Sequence, residues 1–148
     1  MSLAGLNNLY REVILDHSEH PHHKHLLNNA TNKITLKNPT CGDVINLEIQ
    51  LTGEMVTDIG FTGDGCTISQ SSASMMTDAV VGKSISESIE MAHIFSDMVM
   101  GQKHSQSDLD KLGDAAILSS VMKFPARIKC ATLCWWALRK SLGEEDDD

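Results

Sequence analysis

With 148 residues, 41% of them hydrophobic and 22% charged, the chain is long enough to bury a core without covalent staples and has a globular composition. Its net charge of −8 excludes a general nucleic-acid binder, which needs a basic face for phosphates; the terminal run GEEDDD holds five acids (Glu144, Glu145, Asp146, Asp147, Asp148), without which the balance is −3. No apolar stretch approaches the roughly 20 residues of a bilayer span, and MSLAGLNNLYREVILDH carries charge too early, and no small-residue cleavage site, for a signal peptide. The expectation is therefore a cytoplasmic protein with no membrane or nucleic-acid partner, in which cysteines stay reduced and serve as ligands or nucleophiles.

Leu3, Leu6, Leu9, Tyr10, Val13 and Ile14 recur at helical spacing, so residues 3–17 are predicted as an amphipathic first helix, ended by Pro21 and the polar residues after it. The stretch HSEHPHHKH, residues 17–25, holds five of the seven histidines and invites reading as a metal site. We read it as a loop around a proline beside the real site, with His17 and His20 at a helix end whose dipole suits a partly positive imidazole. The period then switches to alternation in KITLK, VINLEIQL and MVTDIGF, three short antiparallel strands with a hairpin through Gly53. Helical patterns return over residues 67–81, 85–100, about 108–121, and 125–142. Ser84 and Glu87 have the spacing of a capping box, and Pro125 suits the first turn of the last helix. The fold class is α+β: a small three-stranded antiparallel sheet packed against several helices. Residues 1–142 are expected as one domain, and 143–148 as an acidic disordered tail.

Four cysteines carry the chemistry. Cys41, in NPTCGD, lies in a loop entering a strand, with Asp43 two residues on across Gly42. Cys66, in GDGCTIS, opens a helix, where the positive end of the dipole favours an anionic sulfur. Cys130 lies early in the final helix, near Arg127 and Lys129. Cys41, Asp43, Cys66 and Cys130 are the donor types of a tetrahedral zinc site. Their spacing alone does not separate that site from unrelated core cysteines, because no Cys-x-x-Cys pair is present. Cys134, four residues beyond Cys130 within LCWWAL, is read as a small core residue. The serines of SQSSAS are read as small residues for close helix packing.

Taken in order, LYREVILDH, NPTCGD, GDGCTISQSSASMM, IFSDMVMGQ and FPARIKCATLCWWAL resemble the SufU branch of the IscU/NifU-N family, which handles sulfur and iron–sulfur cluster assembly. The likeness runs with little insertion to about residue 142. The resemblance implies that Cys41, Asp43, Cys66 and Cys130 bind Zn²⁺ and that Cys41 accepts sulfur. It also implies that Arg127 is a basic residue needed for activity and that the partner is a SufS-type, pyridoxal-phosphate-dependent cysteine desulfurase, with downstream cluster scaffold components as further partners.

Two departures matter. Scaffold-type IscU chains have a histidine ligand directly before the last cysteine; here Lys129 stands there, and a protonated lysine has no lone pair to offer. Together with the longer segment before FPARIKC, this favours a zinc-dependent sulfurtransferase over the alternative, a scaffold that transiently assembles an iron–sulfur cluster on the same cysteines. Cys134 is the second departure and leaves a side role in redox chemistry open. A site of three thiolates, a carboxylate and one divalent ion is net anionic, so Arg127 and Lys129 are read as compensating charge or partner contacts rather than ligands. A zinc with four protein ligands is closed, so sulfur transfer requires Cys41 to leave it while the desulfurase supplies a replacement donor.

Overall fold

The computed structural model describes residues 8–39 and 42–143. Cys41, the first residues of the predicted first helix and the acidic run Glu144–Asp148 lie outside the described residues. In chain order the elements are α1 (Asn8–Glu19), β1 (Asn32–Asn38), β2 (Asp43–Thr52), β3 (Met55–Asp64), α2 (Thr67–Val80), α3 (Ile85–Val99) and α4 (Gln106–Lys111). Two 3₁₀ segments follow, Gly113–Lys123 and Pro125–Arg127, and then α5 (Ile128–Ser141).

The strands form one antiparallel sheet in the order β1-β2-β3. Alternation dictates its two faces: Ile45, Leu47, Ile49, Ile59 and Phe61 are buried, while Thr35, Asn46 and Thr62 join in a polar hydrogen-bonded row. Pairing of Asn38 with Asp43 sets the β1–β2 register, and pairing of Thr52 with Met55 closes the predicted turn through Gly53. Helix α5 packs on β1 and β2, α3 packs behind α5, and α2 lies between α1 and α5. The serines of α2 allow this close packing and bond across it: the Ser72 hydroxyl donates to the Ala131 carbonyl at 2.6 Å, and Ser74 Oγ accepts from the His22 N–H at 2.8 Å. The rings of Phe95 and Trp135 stack at 4.7 Å between α3 and α5. The capping box at Ser84 and Glu87 is present in full.

Three expectations are corrected. The helix predicted over about 108–121 is the short α4 followed by 3₁₀ turns, because Gly113 takes φ of +58° and ends the α-helix in the manner of a left-handed C-cap. The last helix starts at Ile128, with Pro125 opening a separate 3₁₀ turn. On α1, Leu9 of the predicted apolar face is exposed; the buried face is Ile14 and, one turn on, His17, which lies in the last turn as expected and is only 3% exposed. Among the described residues no helix is long and apolar enough to cross a membrane.

Candidate metal centre

Three of the four predicted ligands come together from three different elements. Asp43 is the first residue of β2, Cys66 is the N-cap of α2, and Cys130 lies in the first turn of α5. One ligand atom from each lies within 4.8 Å of the others. Asp43 and Cys130 are each 1% exposed, whereas Cys66 is half-buried, so the group is closed on the core side and reachable from the other.

Local structure explains the meeting. The antiparallel pairing of β2 and β3 sets Val44 opposite Asp64, which brings the start of β2 beside the chain that leaves β3 for α2. Asp43 Oδ1 then accepts the Cys66 N–H at 3.1 Å, tying strand to helix cap. Cys66 has extended backbone (φ −74°, ψ 173°) and spends no side-chain hydrogen bond on capping, so its sulfur remains available to the group. Gly65 is what permits the approach: a Cβ there would press into Ser69 Oγ and stand 2.9 Å from Asp43 Oδ1. The glycines flanking Cys66 already stood out in the sequence; the reason for Gly65, close contact with Ser69 and Asp43, needs the fold. Gly65→Ala is accordingly expected to displace the Asp43 carboxylate and lower zinc affinity about 10–100-fold, the scale of losing an outer-shell contact. Competition against a chromophoric chelator measures it, and unchanged affinity would show that Asp43 has room to spare.

The donors suit zinc: two cysteine sulfurs and a carboxylate make a borderline-soft set, and the donors are close enough for modest side-chain adjustment to converge on one ion. The Gly42 N–H, one residue before Asp43, donates to the Asn38 carbonyl at 2.8 Å. Arg127 stands at the N-cap of α5, three residues before Cys130, and is half-buried. Lys129 is exposed and lines a groove with Lys37, Pro39, Leu133 and Trp136, beside the β1–β2 loop. Cys134 does not join the group. It is buried against Ser72 Oγ (3.4 Å), and burial pushes its thiol up to about 12, as suits a core residue.

The histidine run lies elsewhere. His17 and His22 meet Ser74 and Asp78, toward the C-terminal end of α2, whereas Cys66 opens that helix. Twelve residues of helix separate Cys66 from Asp78, roughly 18 Å at 1.5 Å per residue. The run is therefore not a loop beside the cysteine site, as the sequence had suggested.

Residues 9–131 match the NifU-like N-terminal domain family. The chain belongs to that family. It is 50% identical, over 97% of its length and 95% of the relative's, to a protein of Bacillus subtilis named zinc-dependent sulfurtransferase SufU. It is 49% identical, over 96% of its length and 87% of the relative's, to a protein of Streptococcus pyogenes named iron–sulfur cluster assembly scaffold protein IscU. A crystal structure from Fervidobacterium islandicum, described as a cluster assembly scaffold protein of the SUF system, superposes with a TM-score of 0.83 at 31% identity, covering 88% of this chain and 94% of the other. The three-stranded sheet and its helices are thus those of a NifU-like N-terminal domain.

Proposed function

We propose that this chain is a zinc-dependent sulfurtransferase of iron–sulfur cluster biogenesis, working in the cytoplasm, which takes persulfide sulfur from a SufS-type cysteine desulfurase onto Cys41 and stimulates that enzyme. The observation that carries the reading is the convergence of Asp43, Cys66 and Cys130 at the end of the sheet where the β1–β2 loop, with Cys41 in its sequence, closes. Cys41 is the fourth ligand in this reading. Zinc held there would keep its cysteine ligands as thiolates and, having no redox chemistry, would leave a persulfide intact.

The chain's own residues do the rest. Cys66 and Cys130 are anchored on helices and Asp43 on a strand, so in this reading ligand exchange falls to Cys41. Its thiolate attacks the outer sulfur of the enzyme's cysteine persulfide. A new S–S bond forms to Cys41 Sγ, the old one breaks, and the enzyme cysteine departs as thiolate, with no net oxidation or reduction. Arg127 and Lys129 offset the negative charge of the centre, and the groove holding Lys37, Lys129 and Trp136 offers a cationic and aromatic surface for the desulfurase.

The scaffold reading has the name of the Streptococcus relative in its favour. Against it stands Lys129, at the position where a scaffold would present a histidine. The two separate in one assay. With desulfurase and cysteine, the zinc-loaded chain is expected to raise alanine release severalfold. If instead alanine release is unchanged and added iron and sulfide build a cluster on the chain, the scaffold reading replaces the first.

A further inference from the structure

We propose that this protein carries a second, separate site for a borderline divalent transition-metal ion such as Zn²⁺, Co²⁺ or Ni²⁺, formed by His17, His22 and Asp78 at the C-terminal end of α2. One ligand atom from each of these side chains lies within 4.8 Å of the others. Two imidazoles and a carboxylate are a common set for such ions, and a water can complete the shell.

The site is held in advance from several sides. Asp78, near the end of α2, lies 2.5 Å from His22 Nδ1 through one carboxylate oxygen and 3.3 Å from His23 Nε2 through the other. The His22 backbone N–H donates to Ser74 Oγ (2.8 Å), and the Phe61 N–H donates to the His23 carbonyl (3.0 Å), which pins the loop to both α2 and β3. Between them His23 adopts φ of +61°, in the left-handed region that non-glycine residues rarely occupy, so the surrounding bonds hold the loop in a costly shape. The His17 ring lies 4.7 Å from that of His22 and is bonded on both nitrogens, to Ser74 Oγ at Nδ1 (2.7 Å) and Asp114 Oδ2 at Nε2 (3.0 Å). To coordinate, one ring nitrogen exchanges its present partner for the ion, and the other keeps the outer hydrogen bond that fixes ring and tautomer in metal sites. His22 exchanges its hydrogen bond with Asp78 for the ion.

Electrostatics also favours a cation. The negative end of the α2 dipole falls here, no basic residue occupies the last turn, and Asp78 and Asp114 add two carboxylates. An ion at this place ties α1, the histidine loop and α2 together. The proposal does not depend on sulfur transfer, nor on the cysteine centre roughly 18 Å away along α2.

The test is cobalt titration of the zinc-loaded full chain, followed by calorimetry and absorption. Thiolate-to-cobalt charge-transfer bands report any cobalt on the cysteines, so the two sites are read apart. The expected result is one further equivalent of Co²⁺ without those bands. His22→Gln and Asp78→Asn, both at exposed positions, should weaken that equivalent by at least 10–100-fold while keeping the bound zinc. His17 is buried, so its replacement risks the fold and is not needed. No cobalt uptake beyond the cysteine centre, or uptake that survives both substitutions unchanged, would overturn the proposal.

Discussion

Cys130→Ala is expected to leave the purified protein with little bound zinc, and the parent chain to hold close to one ion per molecule after mild chelation. A four-ligand structural zinc site is worth roughly 10–16 kcal/mol, so an even share for one ligand is about 2.5–4 kcal/mol, or roughly two to three powers of ten in affinity. The true share of Cys130 should not fall below this, because the residue is 1% exposed and water cannot easily replace its sulfur. Asp43→Asn is the graded companion. It keeps the size of the side chain and an acceptor for the Cys66 N–H at 3.1 Å but removes the charge, and should cost about tenfold. Zinc competition assays on the two variants give both numbers. Equal, negligible losses would mean that the ion sits elsewhere.

Trp135→Ala should be the most damaging core substitution. Trp135 is fully buried on α5 and stacks on Phe95 of α3, so its removal costs about 3–5 kcal/mol through lost transfer energy and a cavity. For a chain of this size that corresponds to a melting temperature lower by about 10 °C or more. Its indole Nε1 is buried without a hydrogen-bond partner among the described residues. Trp135→Phe, which removes that N–H and keeps a ring against Phe95, should therefore lose no more than about 1–2 kcal/mol. Chemical denaturation of the metal-free forms measures both without zinc linkage, which would otherwise add to every stability. Since α5 also carries Cys130, Trp135→Ala should weaken zinc binding as well. A Trp135→Ala protein that melts with the parent would contradict the packing described for α3 and α5.

Much of the fold was legible because its signals are local. Alternation in β2 and β3, the Ser84 capping box and the cysteine at the opening of α2 all depend on neighbours within a few residues. The 3₁₀ course of Gly113–Lys123 was not legible, because its apolar residues satisfy a helical period equally well and only the backbone at Gly113 decides. The candidate metal centre was legible in residue type but not in geometry. Asp43, Cys66 and Cys130 are brought together by β-pairing and by the packing of α5, which leave no mark in their spacing. The place of His17 at the helix end was readable, and so was its burial, since it stands one turn beyond Ile14 on α1. Its partners, 57 and 97 positions away, could not have been read from the chain.

The most direct test of the sulfur-transfer account is to locate the sulfur. The zinc-loaded chain is mixed with a SufS-type desulfurase and cysteine, quenched with an alkylating reagent, digested, and examined by mass spectrometry. The account predicts one added sulfur atom on the peptide containing Cys41, none on those containing Cys66 or Cys130, and loss of both the label and the stimulation of alanine release in Cys41→Ala. Persulfide on a different cysteine, or full stimulation by Cys41→Ala, would contradict it.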